Sequence, residues 1–190
     1  MFAKLLVSSV AVLLSGQATA LNLVTNGNFE IGSLAGWTLD AGSAQIDASG
    51  PNHLAVLGNG SVDNYSFTLT QLVFTPSSNI PYTVSFDWGA MPSLSSQSLL
   101  FSINTQAGTI FSQTLSSTPS ATASLTHYTF SFATTAQPFQ ISFTNATGAG
   151  AVAQILDNVS VVPEPATAVL AGLGLALLAS RRRVAQNLQP

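Results

Sequence analysis

Bulky apolar and polar side chains alternate with a period of two along the middle of the chain. The runs Tyr65–Leu72, Tyr82–Trp88 and Tyr128–Phe132 place most of their large residues on one face, as a half-buried strand does. Leu99–Ile103, Thr109–Leu115, Phe139–Phe143 and Ile155–Val161 are further strand candidates. Clusters of Gly, Pro, Asn and Ser punctuate these runs at Gly58-Asn59-Gly60, Pro76 to Asn79, Ser116 to Ser120 and Asn145 to Gly150. Such clusters mark turns. No segment here carries a sustained apolar stripe of helical period. Many short strands without crossover helices predict an all-β domain, an antiparallel β-sandwich. One face of each strand packs and the other presents Ser and Thr to water.

The two ends follow other patterns. Lys4, an apolar run from Leu5 to Leu14 and the small residues Ala18-Thr19-Ala20 predict a secretory signal peptide over 1–20. The sandwich domain is then expected over 21–162. From Ala166 to Ser180 there is neither charge nor polar face, and three bases follow, Arg181, Arg182 and Arg183. This predicts a short transmembrane helix over 166–180 with its basic end in the cytoplasm and the exported domain on the other side. At ~1.5 Å per residue it falls short of a ~30 Å hydrocarbon core. Bilayer thinning and arginine snorkelling close that gap. The span and arginines alone would also serve an anchor that is never cut.

Charge narrows the function. Between Leu21 and Val162 there is no Lys or Arg, while Glu30, Asp40, Asp47, Asp63, Asp87 and Asp157 are acidic. A domain without cations cannot neutralise phosphates, which argues against nucleic acid as a partner and against nucleotide chemistry. The chain has no Cys, so disulfide frameworks, thiolate nucleophiles and Cys-ligated zinc are excluded. The composition is 46% hydrophobic and 6% charged, opposite to the balance of a disordered chain.

Directly before the apolar tail stands Pro163-Glu164-Pro165. This motif, a short hydrophobic helix and a basic cluster, in that order, resemble the PEP-CTERM sorting signal of exported Gram-negative proteins. The resemblance covers the tail, 163–190. It implies that an exosortase, a membrane protease, recognises Pro163, Glu164 and Pro165 and cleaves nearby, with Arg181, Arg182 and Arg183 as the basic stop. It further implies transient residence in the inner membrane, then the cell surface or the exopolysaccharide matrix of a biofilm.

The ends of the domain carry a second resemblance. Asn22 to Glu30 with Gly36-Trp37, and Leu156-Asp157-Asn158-Val159-Ser160-Val161, look like the first and last strands of jelly-roll carbohydrate-binding modules. In such modules the early Glu and the late Asp share a structural calcium, which assigns Ca²⁺ to Glu30 and Asp157. Asn158 stands where many relatives have a second acid. Two carboxylates and the carbonyls of the Asn/Gly turn can supply the oxygens that calcium takes. Two merely exposed acids remain the alternative.

Other candidates are few. His53 and His127 have no acid at metal-ligand spacing and read as solvated or hydrogen-bonded. No nucleophile elbow, zincin motif or phosphate loop occurs. The acids would allow the facing carboxylates of a glycosidase without marking a pair. Trp37 reads as core, whereas Trp88, beside Asp87 and Gly89, fits either a packed position or a glycan-stacking platform. The sequence therefore predicts a non-enzymatic surface or matrix protein. A carbohydrate-binding module for matrix polysaccharide is the alternative, and a secreted hydrolase comes third.

Overall fold

A computed structural model describes residues 21–58, 66–75, 80–92, 96–118, 122–134, 138–147 and 152–164. The expected signal peptide, the expected span over 166–180, Tyr65, Pro165 and the three arginines lie outside the described residues. Among the described residues, no helix is long and apolar enough to cross a membrane.

Ten strands form: β1 (Thr38–Gly42), β2 (Ala44–Asp47), β3 (Leu54–Leu57), β4 (Phe67–Val73), β5 (Pro81–Ala90), β6 (Gln97–Thr105), β7 (Gly108–Ser117), β8 (Thr126–Ala133), β9 (Phe139–Asn145) and β10 (Gln154–Pro163). They pair into two five-stranded antiparallel sheets, ordered β1-β4-β9-β6-β7 and β2-β3-β10-β5-β8. The fold is the expected all-β sandwich. Each of the seven runs expected from alternation is a strand or the greater part of one. β1, β2 and β3 escape the pattern: β1 is exposed at all five positions, and β3 is an unbroken apolar run.

The core forms where the inner faces of the sheets meet. Along β5, Tyr82, Val84, Phe86 and Trp88 are buried while Thr83, Ser85 and Asp87 alternate outward. The Phe86 ring lies 4.9 Å from Phe101 of β6 and 5.0 Å, edge-on, from Phe143 of β9. One aromatic side chain thus joins both sheets, in the tilted and edge-to-face geometries that aromatic quadrupoles favour. Two buried glutamines stitch the rest. Gln71 of β4 accepts from the Thr25 amide and donates to the Thr25 and Gly36 carbonyls. Gln154 of β10 accepts from Trp88 Nε1 and donates to the Ser98 carbonyl.

The chain enters the domain beside the strand by which it leaves. The Leu23 amide donates to the Val161 carbonyl, and the Val159 amide donates to the Gly27 carbonyl, each at 2.8 Å. This approach needs Gly27, because an added Cβ would lie 1.9 Å from the Val159 oxygen. β10 continues through Pro163, past the boundary expected after Val162. Its last register pair is Pro163 with Tyr82.

If Phe86 joins the sheets, Phe86→Ala should cost ~3–5 kcal/mol, the usual loss for truncating a fully packed aromatic. Denaturant unfolding of the domain measures this. A loss within the range of surface substitutions, about 0.5 kcal/mol, would contradict it.

Candidate functional site

The outward face of the β2–β3–β10–β5–β8 sheet carries a polar row. Asp157 of β10 pairs in register with Asp87 of β5, and Asp87 pairs with His127 of β8. The register slips between Asp157 and Ser160, and Asn158 there takes a left-handed conformation with φ 51°. Asn tolerates this region better than most residues, and bulges commonly re-aim side chains. Here the bulge sends Asn158 Nδ2 to Asp87 Oδ2 at 2.8 Å. The other Asp87 oxygen lies 2.6 Å from His127 Nδ1. An ionised carboxylate only accepts, so this pairing puts a proton on Nδ1. In the neutral ring, Nε2 is then an acceptor for the Thr129 hydroxyl, 3.2 Å away.

Asp157 is only 1% exposed. Its carboxylate accepts from Asn52 Nδ2 at 2.9 Å and from the Asn158 amide at 2.7 Å. Burial raises its pKa above the ordinary 3.8, and the Asp87 and Glu30 carboxylates add repulsion in the same direction. The Asn52 and Asn158 hydrogen bonds oppose the rise. Glu30 Oε1 accepts from the His53 amide at 3.0 Å, while Oε2 is 3.9 Å from His53 Nδ1. Consecutive residues, Asn52 and His53, thus hold the two acids expected to share calcium, which are close enough to repel. Among the described residues, no three His, Asp or Glu side chains gather into a metal-ligating group. Further oxygen ligands would have to come from backbone carbonyls or water.

The structure fixes the surroundings of both tryptophans and both histidines. Trp88 is fully buried, with its indole N–H bound to Gln154, so its ring has no face free for a sugar. Trp37 is core as expected, tilted against Phe29 and Phe143. Both histidines have acids as neighbours despite their sequence spacing, and Asp87–His127–Thr129 forms a carboxylate–imidazole–hydroxyl chain.

The opposite outer face is different in kind. Register aligns Thr38, Thr70, Ser142, Ser102 and Ser112 into one row of hydroxyl residues across all five strands of the β1–β4–β9–β6–β7 sheet. Thr70 and Ser142 within it are buried, and the Thr70 hydroxyl donates to Asp40 Oδ2, so Thr38, Ser102 and Ser112 are the accessible members. At the end of β4, Leu72 and Phe74 are 51% and 71% exposed. Phe74 is the exposed aromatic that sequence reading missed. Its signal was weak, because it follows Val73 at the point where the alternation of β4 ends.

A family model for the PEP-CTERM protein-sorting motif matches residues 161–183. The chain carries a PEP-CTERM sorting motif. That signal marks an exported protein with a C-terminal membrane-anchor sorting segment. No curated protein matches the chain. Among solved structures, TmCBM61 in complex with beta-1,4-galactotriose aligns at 16% identity and TM-score 0.56, covering 76% of this chain and 100% of that one. The CBM22-1 xylan-binding domain from Paenibacillus barcinonensis Xyn10C aligns at 15% identity and TM-score 0.54, covering 76% and 95%. The enzymatically active domain of bacteriophage CBA120 tailspike protein 4 aligns at 16% identity and TM-score 0.55, covering 75% of this chain but only 21% of that chain. These likenesses establish the fold, a jelly-roll β-sandwich of the carbohydrate-binding-module type.

Asp157 makes stability depend on pH with a definite sign. Its folded pKa is raised, so between 3.8 and the folded value the native state binds a proton that the unfolded chain has released. Stability from this group therefore grows as pH falls through that window. In metal-free buffer, the melting temperature of the wild-type domain should rise relative to Asp157→Asn as pH drops from neutral into the window. A wild type that instead loses ground against the variant would show that the ionised carboxylate is the stabilised form.

Proposed function

We propose that this protein is exported and delivered by an exosortase to the cell surface or extracellular matrix, where its sandwich domain binds polysaccharide without cleaving it. One observation carries the binding reading: the domain matches carbohydrate-binding modules over 95–100% of their own length. It has the extent of a whole binding module. The likeness to part of a tailspike chain fits an accessory domain equally well. The cation-free composition favours neutral glycans, because an anionic polymer would meet only like charge.

The outer face of the β1–β4–β9–β6–β7 sheet is the proposed glycan surface, with Phe74 as its stacking residue and Thr38, Ser102 and Ser112 as its accessible hydroxyls. Hydroxyls offer paired donors and acceptors to sugars, and an exposed ring offers an apolar face to the sugar's C–H side. On a panel of immobilised neutral polysaccharides, the wild-type domain should bind at least one. Phe74→Ala should weaken that binding about tenfold with little change in melting temperature, while Trp88→Ala should destabilise the fold. Failure to bind any glycan would return the protein to a purely structural matrix role. Hydrolysis of a glycan or its esters, lost on His127→Ala, would favour the hydrolase reading, which rests on the Asp87–His127–Thr129 chain.

Calcium at Glu30 and Asp157 is the proposed structural cofactor. The supporting observation is electrostatic: a buried carboxylate near two others, in a domain with no Lys or Arg, leaves negative charge that a divalent cation offsets. Calcium at about a hundred times its Kd should add ~2.7 kcal/mol and raise the melting temperature by several degrees. It should also reverse the Asp157 pH slope, because a bound cation favours the ionised form. Identical melts in calcium and chelator would exclude the site, as would a calcium shift that survives Glu30→Ala with Asp157→Ala.

A further inference from the structure

The sorting motif is built into the sheet. β10 does not stop at the domain edge but runs into Pro163, which pairs with Tyr82 of β5. The next residue is held twice. Its amide donates to the Pro81 carbonyl at 2.9 Å, and its carboxylate Oε1 accepts from the Thr83 hydroxyl at 3.2 Å. Proline cannot donate to a ladder, so at the last position of β10 the strand's next donor is the Glu164 amide, and that donor is used. A few residues upstream, the 22–27 strip bonds Val159 and Val161 from the entering chain. No linker separates the folded domain from the first two motif residues.

A protease that recognises an extended peptide must surround its backbone and reach its side chains. In the folded domain the Glu164 amide and carboxylate are already engaged, and Pro163 lies against Tyr82. We propose that the fold withholds its own sorting motif, so that processing follows opening of the last turn of pairing between β10 and β5 and does not act on the closed domain. The partner is the sorting protease, and this inference rests on the motif being a working sorting signal. Opening costs at least the two contacts of Glu164. Two hydrogen bonds of ordinary net strength correspond to roughly thirtyfold in the open population. Processing of this chain is therefore slower than its motif alone would permit.

The experiment follows the full-length precursor in its native host by pulse-chase, with a Gly-Ser-Gly-Ser insert between Val162 and Pro163 as the test variant. The insert lies beyond Val161, the last buried core position of β10, so the fold stays intact while the motif is released. Equal protection of the core amides in both purified precursors verifies this. The insert should shorten the precursor lifetime by roughly thirtyfold, the closed-to-open ratio of those two hydrogen bonds. Hydrogen exchange on the detergent-solubilised precursor should show a protected Glu164 amide in the wild type and an unprotected one in the insert. Equal lifetimes, or a Glu164 amide that exchanges freely in the wild type, would overturn the proposal. Replacement of Pro163, Glu164 and Pro165 together by alanine separates the two levels. If this variant is processed like wild type, the sorting reading itself fails; if it is stable and the insert has no effect, only the withholding fails.

Discussion

A domain without a single lysine or arginine must satisfy its buried acceptors with amides and hydroxyls. That constraint shapes most of the polar interior. Asp157 is held by an asparagine and a backbone amide, Asp87 by Asn158 and His127, and the buried contacts between segments are made by Gln71 and Gln154. Neutral donors stabilise a carboxylate less than a guanidinium does. The acids on the β10–β5–β8 face therefore keep an unbalanced negative field, focused where Asp157 is most buried. An ion pair there would have made the domain electrostatically self-sufficient. This domain instead leaves that charge without a cationic partner among its own side chains.

The same absence moves the work of cohesion to aromatic rings and strand pairing. Phe86, Phe101, Phe143 and Phe130 pack in a connected set across the two sheets. β10 ties the ends of the chain together through its hydrogen bonds to the entering strip and its long pairing with β5. It also carries Asp157 and Gln154 and leads into the sorting motif. One strand links the core, the acid cluster and the export signal.

Most of the sandwich was legible in the sequence because its central strands have one wet face, and a wet face imposes alternation. β1 and β3 were not, since an exposed edge and a wholly apolar run lack that period. Trp88 shows the limit of reading flanks over parity. Its flanks, Asp87 and Gly89, left Trp88 open between a packed position and a stacking platform, yet it shares the parity of Tyr82, Val84 and Phe86, and parity decided its burial. That Glu30 comes near enough to Asp157 to repel it was foreseeable from the resemblance of the two end motifs. The Asp87–His127 contact was not, because it depends on the register between β5 and β8, which no local pattern specifies. Phe74 lay just past the end of a strand, where alternation ceases to predict direction.

The adjacency of the two ends also determines how the domain bears load. A pull on the chain beyond Glu164 reaches the domain through β10. A pull along its axis acts in shear on its bonds to β5 and to the 22–27 strip, whose hydrogen bonds lie across the strand and must yield together. A pull away from the sheet instead acts on Pro163 and Glu164 alone, then on each pair in turn. The same domain is thus stiff to drag along the strand direction and compliant to lifting. The direction of the pull decides whether Pro163 and Glu164 stay paired or come free.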